Sequence, residues 1–364
     1  MSDKKIKIVF IIDGLEFGGA QRQLLHLLGS INHDRYDVSL IYFTDEEDFL
    51  SELNDIGIKI FKIKKKRKID IGLILRIRHV IKEVEADILV TYLITADIWG
   101  RLAGFLVKDL KVISCKRNQN NLGRIKTWLM AVMDRYTDSI VANCYDVKRY
   151  VCSSEHIDEK RIDIIHNGYD VNAIRNTELL KLGLGYEDYI LIGTVGRLVD
   201  VKDHDFFIEI ADALIQCGKQ AVFVIVGGGP DYTTISSKIE ALAYSDRIKL
   251  LGARSDALEI VKSFDIYIST SKKEGFSNSI MEAMILGKTI WTTNVGAARD
   301  IIEDGINGYL INKNMGVKEI CNLYDRSLEN KKQTSLKALT TSDNYTIRNM
   351  VTKYEELFER LMLS

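Results

Sequence analysis

Short apolar runs alternate with longer amphipathic stretches along the whole chain. In the first half, the runs at residues 7–12, 38–43, 58–63, 88–92, 111–114, 139–142 and 162–165 have the length and the valine and isoleucine content of strands. At 20–29, 73–84, 96–106 and 125–136, apolar positions recur every three or four residues, which predicts helices with one buried face. Parallel strands need crossovers of that length, so the alternation predicts parallel sheets covered by helices. The pattern restarts near Tyr189, with strands predicted at 189–195, 222–226, 248–251, 266–269, 289–292 and 309–311. Helices are predicted there at 205–217, 234–243, 256–264 and 277–286, and the polar stretch 172–188 separates the two series. The expectation is an α/β chain of two doubly wound domains, 1–175 and 185–345, with an amphipathic helix at about 346–363 that returns to the first. Two such domains facing each other would leave a cleft at the carboxyl ends of their strands, where ligands of these sheets bind.

Composition narrows the function classes. The chain has 364 residues, enough for two domains, and 46% of them are hydrophobic. A formal net charge of −1 argues against a dedicated nucleic-acid binder. Five scattered cysteines (Cys115, Cys144, Cys152, Cys217 and Cys321) form no C-x-x-C pair. They predict neither a metal site nor a disulfide framework, and they point to a reducing cytosol. The first apolar run ends at Asp13, too short for a signal sequence. No apolar run reaches the roughly 20 residues that span a bilayer. The expected location is therefore cytoplasmic. One local excess stands out: Lys59 to Lys82 holds ten Lys/Arg against a single acid, Asp70, with the run Lys64 to Lys68 at its centre. A solvated face explains it, as does peripheral attraction to anionic lipid on the inner face of a membrane.

The richest candidate chemistry lies between Glu274 and Glu282, which read E-G-F-S-N-S-I-M-E. A glycine-led turn there enters a helix, so the backbone of Gly275, Phe276, Ser277 and Asn278 can offer N–H groups to an anion. The two carboxylates can accept hydrogen bonds from hydroxyls. A ligand carrying phosphates and many hydroxyls, such as a nucleotide sugar, fits both. Arg197 and Lys202 follow the first strand of the second series, and an arginine fork with a lysine point charge suits a diphosphate. An isolated Arg/Lys pair can equally be two solvated cations; the place at a strand's carboxyl end favours binding. Asp203-His204-Asp205 has the D-x-D spacing of some metal sites but reads as helix-start acids. Gly18 and Gly19 sit between the first strand and its helix, where a tight turn and an anion loop are equally good readings. The Gly227-Gly228-Gly229 turn has the same two readings.

These segments together resemble the retaining glycosyltransferases of family four, which have a two-domain, Rossmann-like GT-B fold. The resemblance covers about residues 14–311: the Gly18-Gly19 loop, Asn167-Gly168-Tyr169-Asp170, Val195-Gly196-Arg197-Leu198 with Lys202, and Val226–Gly229. It is most specific from Glu274 through Gly287 and Asn294-Val295-Gly296 to Gly308. It implies that Arg197 and Lys202 neutralise a donor diphosphate without a metal or other cofactor. It implies further that Glu282 holds the ribose, Glu274 contacts the donor sugar, and Phe276, Ser277 and Asn278 bind through their backbones. Gly18 and Gly19 would approach the phosphates, and Arg254 would sit near the base. Many relatives carry a histidine after the strand that here ends in Tyr92; this chain reads Leu93-Ile94-Thr95 instead. Arg117 and Asn118 are the acceptor-side candidates. The implied reaction moves a sugar from a nucleotide diphosphate, with UDP expected, to a hydroxyl of a glycan or polyprenyl-diphosphate-linked glycan, as in surface polysaccharide synthesis. A nucleotide-sugar epimerase and a non-catalytic nucleotide-sugar-binding module are the rivals: the first needs no acceptor, the second turns nothing over.

Overall fold

The computed structural model describes residues 5–67, 70–119, 123–186 and 188–363. They form two compact units, one running to Tyr169 and resuming at Tyr345, the other spanning Asp170–Asn344.

The first unit is built on seven parallel strands: Ile6–Ile11 (β1), Tyr36–Tyr42 (β2), Lys59–Lys62 (β3), Ile88–Tyr92 (β4), Lys111–Lys116 (β5), Ser139–Ala142 (β6) and Ile162–Ile164 (β7). Their order is β3-β2-β1-β4-β5-β6-β7. The central strands are apolar at successive positions because helices cover both sheet faces, which leaves no solvent side for a polar alternation. Helices Gly19–Ser30 and Ile347–Leu363 pack on one face, and Ile71–Glu83 and Ile94–Gly104 on the other. The terminal helix buries Met350, Val351, Tyr354, Leu357, Phe358 and Leu361, a stripe at helical spacing. Chain return is fixed by the Tyr169 N–H donating to the Tyr345 carbonyl at 2.9 Å and the Ile347 N–H to the Tyr169 carbonyl at 3.1 Å. Gly168 permits this approach, since a Cβ there would lie 2.7 Å from the Ile347 Cα.

The second unit carries Ile190–Val195 (β8), Ala221–Val226 (β9), Ile248–Leu250 (β10), Ile266–Ser269 (β11), Thr289–Thr293 (β12) and Tyr309–Ile311 (β13), ordered β10-β9-β8-β11-β12-β13 and all parallel. Chain order reverses between β8 and β11, as it does between β1 and β4 in the first unit. Those are the topological switch points of doubly wound sheets.

Every predicted strand is present, with ends shifted by at most two residues. Several helices have no predicted counterpart, among them Tyr145–Glu155, Val317–Glu329 and Lys331–Ser342. The stretch expected as a polar separator opens with the short helix Val171–Arg175 and is fastened to the second unit. There Arg175 Nη2 donates to Asp343 Oδ1 at 2.8 Å, and Lys262 Nζ to the Arg175 carbonyl at 3.0 Å.

The cysteine reading needs correction. Cys217 and Cys321 form a disulfide although 104 residues separate them. Helices His204–Gln216 and Val317–Glu329 pack side by side, so tertiary contact pairs two cysteines that spacing alone would leave apart. The cysteines therefore give no argument for a reducing compartment. No helix among the described residues is long and apolar enough to cross a membrane.

Candidate active site

The loops after β8 and β11 meet at the second unit's switch point. Gly196 to Lys202 leaves β8, and Thr270 to Ser277 leaves β11 for helix Asn278–Ile285. The loops are stitched together: the Lys272 N–H donates to the Val201 carbonyl at 2.8 Å, and Thr270 Oγ1 to the Lys202 carbonyl at 3.0 Å. Lys202 Nζ pairs with Glu274 Oε1, which also accepts from Ser271 Oγ at 2.8 Å. Beneath them, the buried Tyr267 hydroxyl donates to the Val195 carbonyl at 3.2 Å. Burial pushes this phenol's pKa up, and its surroundings include Ser279, Glu282 and Glu274. Arg197 stands exposed on the β8 loop, its guanidinium without a hydrogen-bond or ion-pair partner among the described residues. A cation, a lysine held by a carboxylate, and the N-terminal end of a helix thus share one edge of the sheet, which suits an anion flanked by hydroxyls.

Glycines set the shape of this edge. Gly227, at φ 152°, lies under the β8 loop, where a Cβ would come 1.8 Å from the Gly196 carbonyl oxygen. Gly296, at φ 56°, lies behind the β11 loop, where a Cβ would come 2.4 Å from the Gly275 carbonyl oxygen. The Ala297 N–H donates to that same carbonyl at 2.8 Å. The backbone of Gly275 is therefore braced from behind.

The predicted residues divide into those on this edge and those elsewhere. Arg197, Lys202, Glu274, Gly275, Phe276, Ser277, Asn278 and Glu282 lie on the two adjoining loops and the helix that follows. Arg254 lies on the loop after β10, where its fork is closed on Asp256 with contacts of 2.8 and 2.6 Å. Gly18 and Gly19 belong to the first unit, as the cap and first residue of helix Gly19–Ser30. The D-x-D acids are engaged by lysines, Asp203 with Lys313 at 2.8 Å and Asp205 with Lys238 at 2.7 Å. His204 between them is held near a pKa of about 4 by burial, with Lys202 adding to the effect, so it is neutral near pH 7.

The first unit has its own polar cavity, about 470 Å³, at the carboxyl ends of β1, β4 and β5. Asp13 lines it and accepts from the Thr95 and Ala96 N–H groups at 3.3 and 2.5 Å, at the start of helix Ile94–Gly104. Leu93, in the stretch after β4 that has no histidine, lines the cavity with a φ of 67°. Arg117 lines the cavity, but its fork is spent on Asn167 Oδ1 at 2.7 Å and the Tyr354 hydroxyl at 3.3 Å, with Tyr92's ring against it. Exposed Asn118 lines it beside Arg117.

Sequence reasoning missed the charged wall behind them. Buried Arg101 bonds Asp97 at 2.8 Å and also pairs with Asp134, while Lys116 Nζ lies 3.1 Å from Glu155 and 3.3 Å from Asp134. Burial and the neighbouring Asp134 carboxylate push Glu155 up to about 8. These ionisable groups sit on three helices and a strand far apart in sequence. The only linear trace is polar residues at inward positions, such as Asp97 and Arg101 one turn apart.

Comparison with known proteins gives the family and the fold. Residues 17–173 match the family described as Glycosyltransferase Family 4, and residues 179–340 match Glycosyl transferases group 1. An Escherichia coli protein named UDP-Gal:alpha-D-GlcNAc-diphosphoundecaprenol alpha-1,3-galactosyltransferase is 26% identical over 333 residues, covering 85% of each chain. Among solved structures, Anabaena Alr3699/HepE in complex with UDP aligns with a TM-score of 0.84 at 20% identity, over 98% of this chain and 100% of that one. A glycosyltransferase from Rickettsia africae aligns with a TM-score of 0.84 at 19% identity, over 98% and 99%. At such identities the structural likeness speaks for the fold, which is GT-B.

Proposed function

The chain belongs to the family four (group 1) glycosyltransferases, and from that premise we propose that it transfers a sugar from UDP to a hydroxyl of a lipid-linked glycan with retention of anomeric configuration. The observation that carries this reading is the Lys202–Glu274 pair beside the open guanidinium of Arg197, on two stitched loops at a switch point. In the proposed reaction, Arg197 and Lys202 take up the negative charge that grows on the departing diphosphate, in place of a metal ion. Glu274 keeps the Lys202 ammonium on the ligand side and meets the donor sugar. The backbone from Gly275 to Asn278 supplies N–H groups to sugar and phosphate, and Glu282 accepts from the ribose hydroxyls. Leu93-Ile94-Thr95, directly after Tyr92, offers no histidine as a base, and in this reading the acceptor's proton leaves on the diphosphate oxygen as that oxygen departs. The acceptor enters the polar cavity of the first unit, beside Asn118 and Asp13. UDP and a diphosphate-linked lipid acceptor are supported by the name of the Escherichia coli relative, and UDP also by the ligand of the Anabaena structure.

A transfer assay tests the reading. With UDP-sugars and a polyprenyl-diphosphate-linked acceptor, the product should retain the donor's anomeric configuration by NMR, and EDTA should leave the rate unchanged. Arg197→Ala and Lys202→Ala should each lower kcat/KM by about a hundredfold or more. Turnover without an acceptor would instead identify an epimerase, and binding without turnover a non-catalytic module.

A further inference from the structure

The basic run of the sequence borders a groove of about 570 Å³ in the first unit, between residues 62–66 and helix Ile71–Glu83. Ile63, Leu75 and Val80 give it apolar walls, and Lys62, Lys64, Lys66 and Arg76 rim it. Three of these cations are partly satisfied: Lys62 by Asp45 and Glu47 at 2.7 Å, Lys64 by Asp45 at 2.8 Å and Arg76 by Asp70 at 2.7 Å. The Lys66 ammonium and the neighbouring Arg67 guanidinium have no partner among the described residues. Lys68 lies outside the described residues.

The helix beside the groove supplies the second observation. Ile71 and Leu75, one turn apart, are 72% and 61% exposed, and farther along the helix come Arg78, exposed His79 and Lys82. Two large apolar side chains left in water next to unpaired cations leave burial free energy unrealised. A surface that is apolar in its upper layer and anionic at its headgroups would satisfy both. Nucleic acid would use the cations and leave Ile71 and Leu75 in water.

We propose that this groove and the first turns of helix Ile71–Glu83 dock on an anionic phospholipid bilayer, with Lys64, Lys66 and Arg67 on lipid phosphates and Ile71 and Leu75 at the headgroup–acyl boundary. The proposal draws its purpose from the lipid-linked acceptor proposed above, but its test needs no acceptor. The full chain is sedimented with vesicles of phosphatidylcholine alone or mixed with phosphatidylglycerol. It should partition into the mixed vesicles only, and less as salt rises, because screening shortens the reach of surface charge to about 10 Å at 0.1 M. Lys64→Glu with Lys66→Glu should lower partition by at least about tenfold, in line with about 1 kcal/mol per basic residue. Ile71→Ser with Leu75→Ser should lower partition too, even at low salt. UDP affinity, read by calorimetry, should stay at the wild-type value in all of these variants, which reports both folding and an intact donor site. Equal partition into both vesicle types, wild-type partition of the charge-reversed variant, or binding to single-stranded DNA without partition into vesicles would overturn the proposal. Loss of transfer activity with partition intact would count against the enzymatic reading and leave this one standing.

Discussion

Glu155 is the residue whose chemistry departs furthest from what its neighbours in sequence suggest. Its carboxyl lies against Asp134, which Arg101 and Lys116 hold ionised, so the shared proton stays on Glu155. Its pKa is raised to about 8 from an ordinary 4.5. The sign follows from linkage: between those values the folded chain binds a proton that the unfolded chain has released. The contribution is therefore fully present below the unfolded pKa and is lost as pH rises through the folded one. Stability should fall by about 1 kcal/mol per pH unit across pH 5–8 from this group. Glu155→Gln keeps the neutral shape and should flatten that slope, as read by urea denaturation at several pH values. An unchanged slope in the variant would mean that Glu155 is ionised in the native protein. Buried His204 and half-buried His166 act oppositely. Burial, together with nearby lysines, holds His166 and His204 down at about 4, so their contribution is present above the unfolded value of 6.5 and is lost as pH falls towards 4. Separating the slopes needs only the Glu155 variant, because the histidines are silent above about pH 7.

At the scale of elements, the turns that join strand to helix hold the loops after β8 and β11 in shape. Gly296 has a left-handed φ of 56° and leaves no room for a Cβ behind Gly275. Gly296→Ala should push the Gly275 carbonyl forward and break its bond from the Ala297 N–H. We expect UDP affinity to drop by about tenfold or more, with a stability loss of about 1–3 kcal/mol. Calorimetry on the folded variant separates the two, and wild-type affinity would show the loop to be independent of its brace. The strands were legible because burial on both sheet faces writes them as continuous apolar runs, β9 (AVFVIV) most plainly. The turns after β8 and β11 were legible because glycines and polar residues cluster in sequence there. Helix Lys331–Ser342 was not, because its side chains carry little apolar periodicity and its place comes from packing against helix Asn278–Ile285. The Cys217–Cys321 pair and the charged wall around Lys116 were hidden for a related reason: each joins elements that only the tertiary fold makes neighbours.

At the scale of the whole molecule, the chain leaves the first unit at Tyr169, builds the entire second unit from Asp170 to Asn344, and then returns. The second unit is therefore continuous in sequence, and the first is not. The returning helix Ile347–Leu363 puts Met350, Val351, Tyr354, Leu357, Phe358 and Leu361 into the core that contains Phe10 and Tyr92, and the Tyr354 and Tyr92 hydroxyls bond at 2.9 Å. Each such side chain contributes about 2 kcal/mol on burial. Together they match the whole stability of a typical domain, about 5–15 kcal/mol. Truncation after Asn344 should therefore unfold the first unit while the second persists. Calorimetry of the truncated chain should show a single unfolding transition, and amide exchange should be fast throughout residues 5–169. A fragment of residues 170–344 alone should unfold cooperatively and still bind UDP, since the loops bearing Arg197, Lys202 and Glu274 are all within it. If the truncated chain kept slow exchange in β1 and β4, the terminal helix would be an accessory of the first unit and not part of its core. If the fragment folded without binding UDP, the donor site would need residues from the first unit, and Gly18 and Gly19 would be the first to examine.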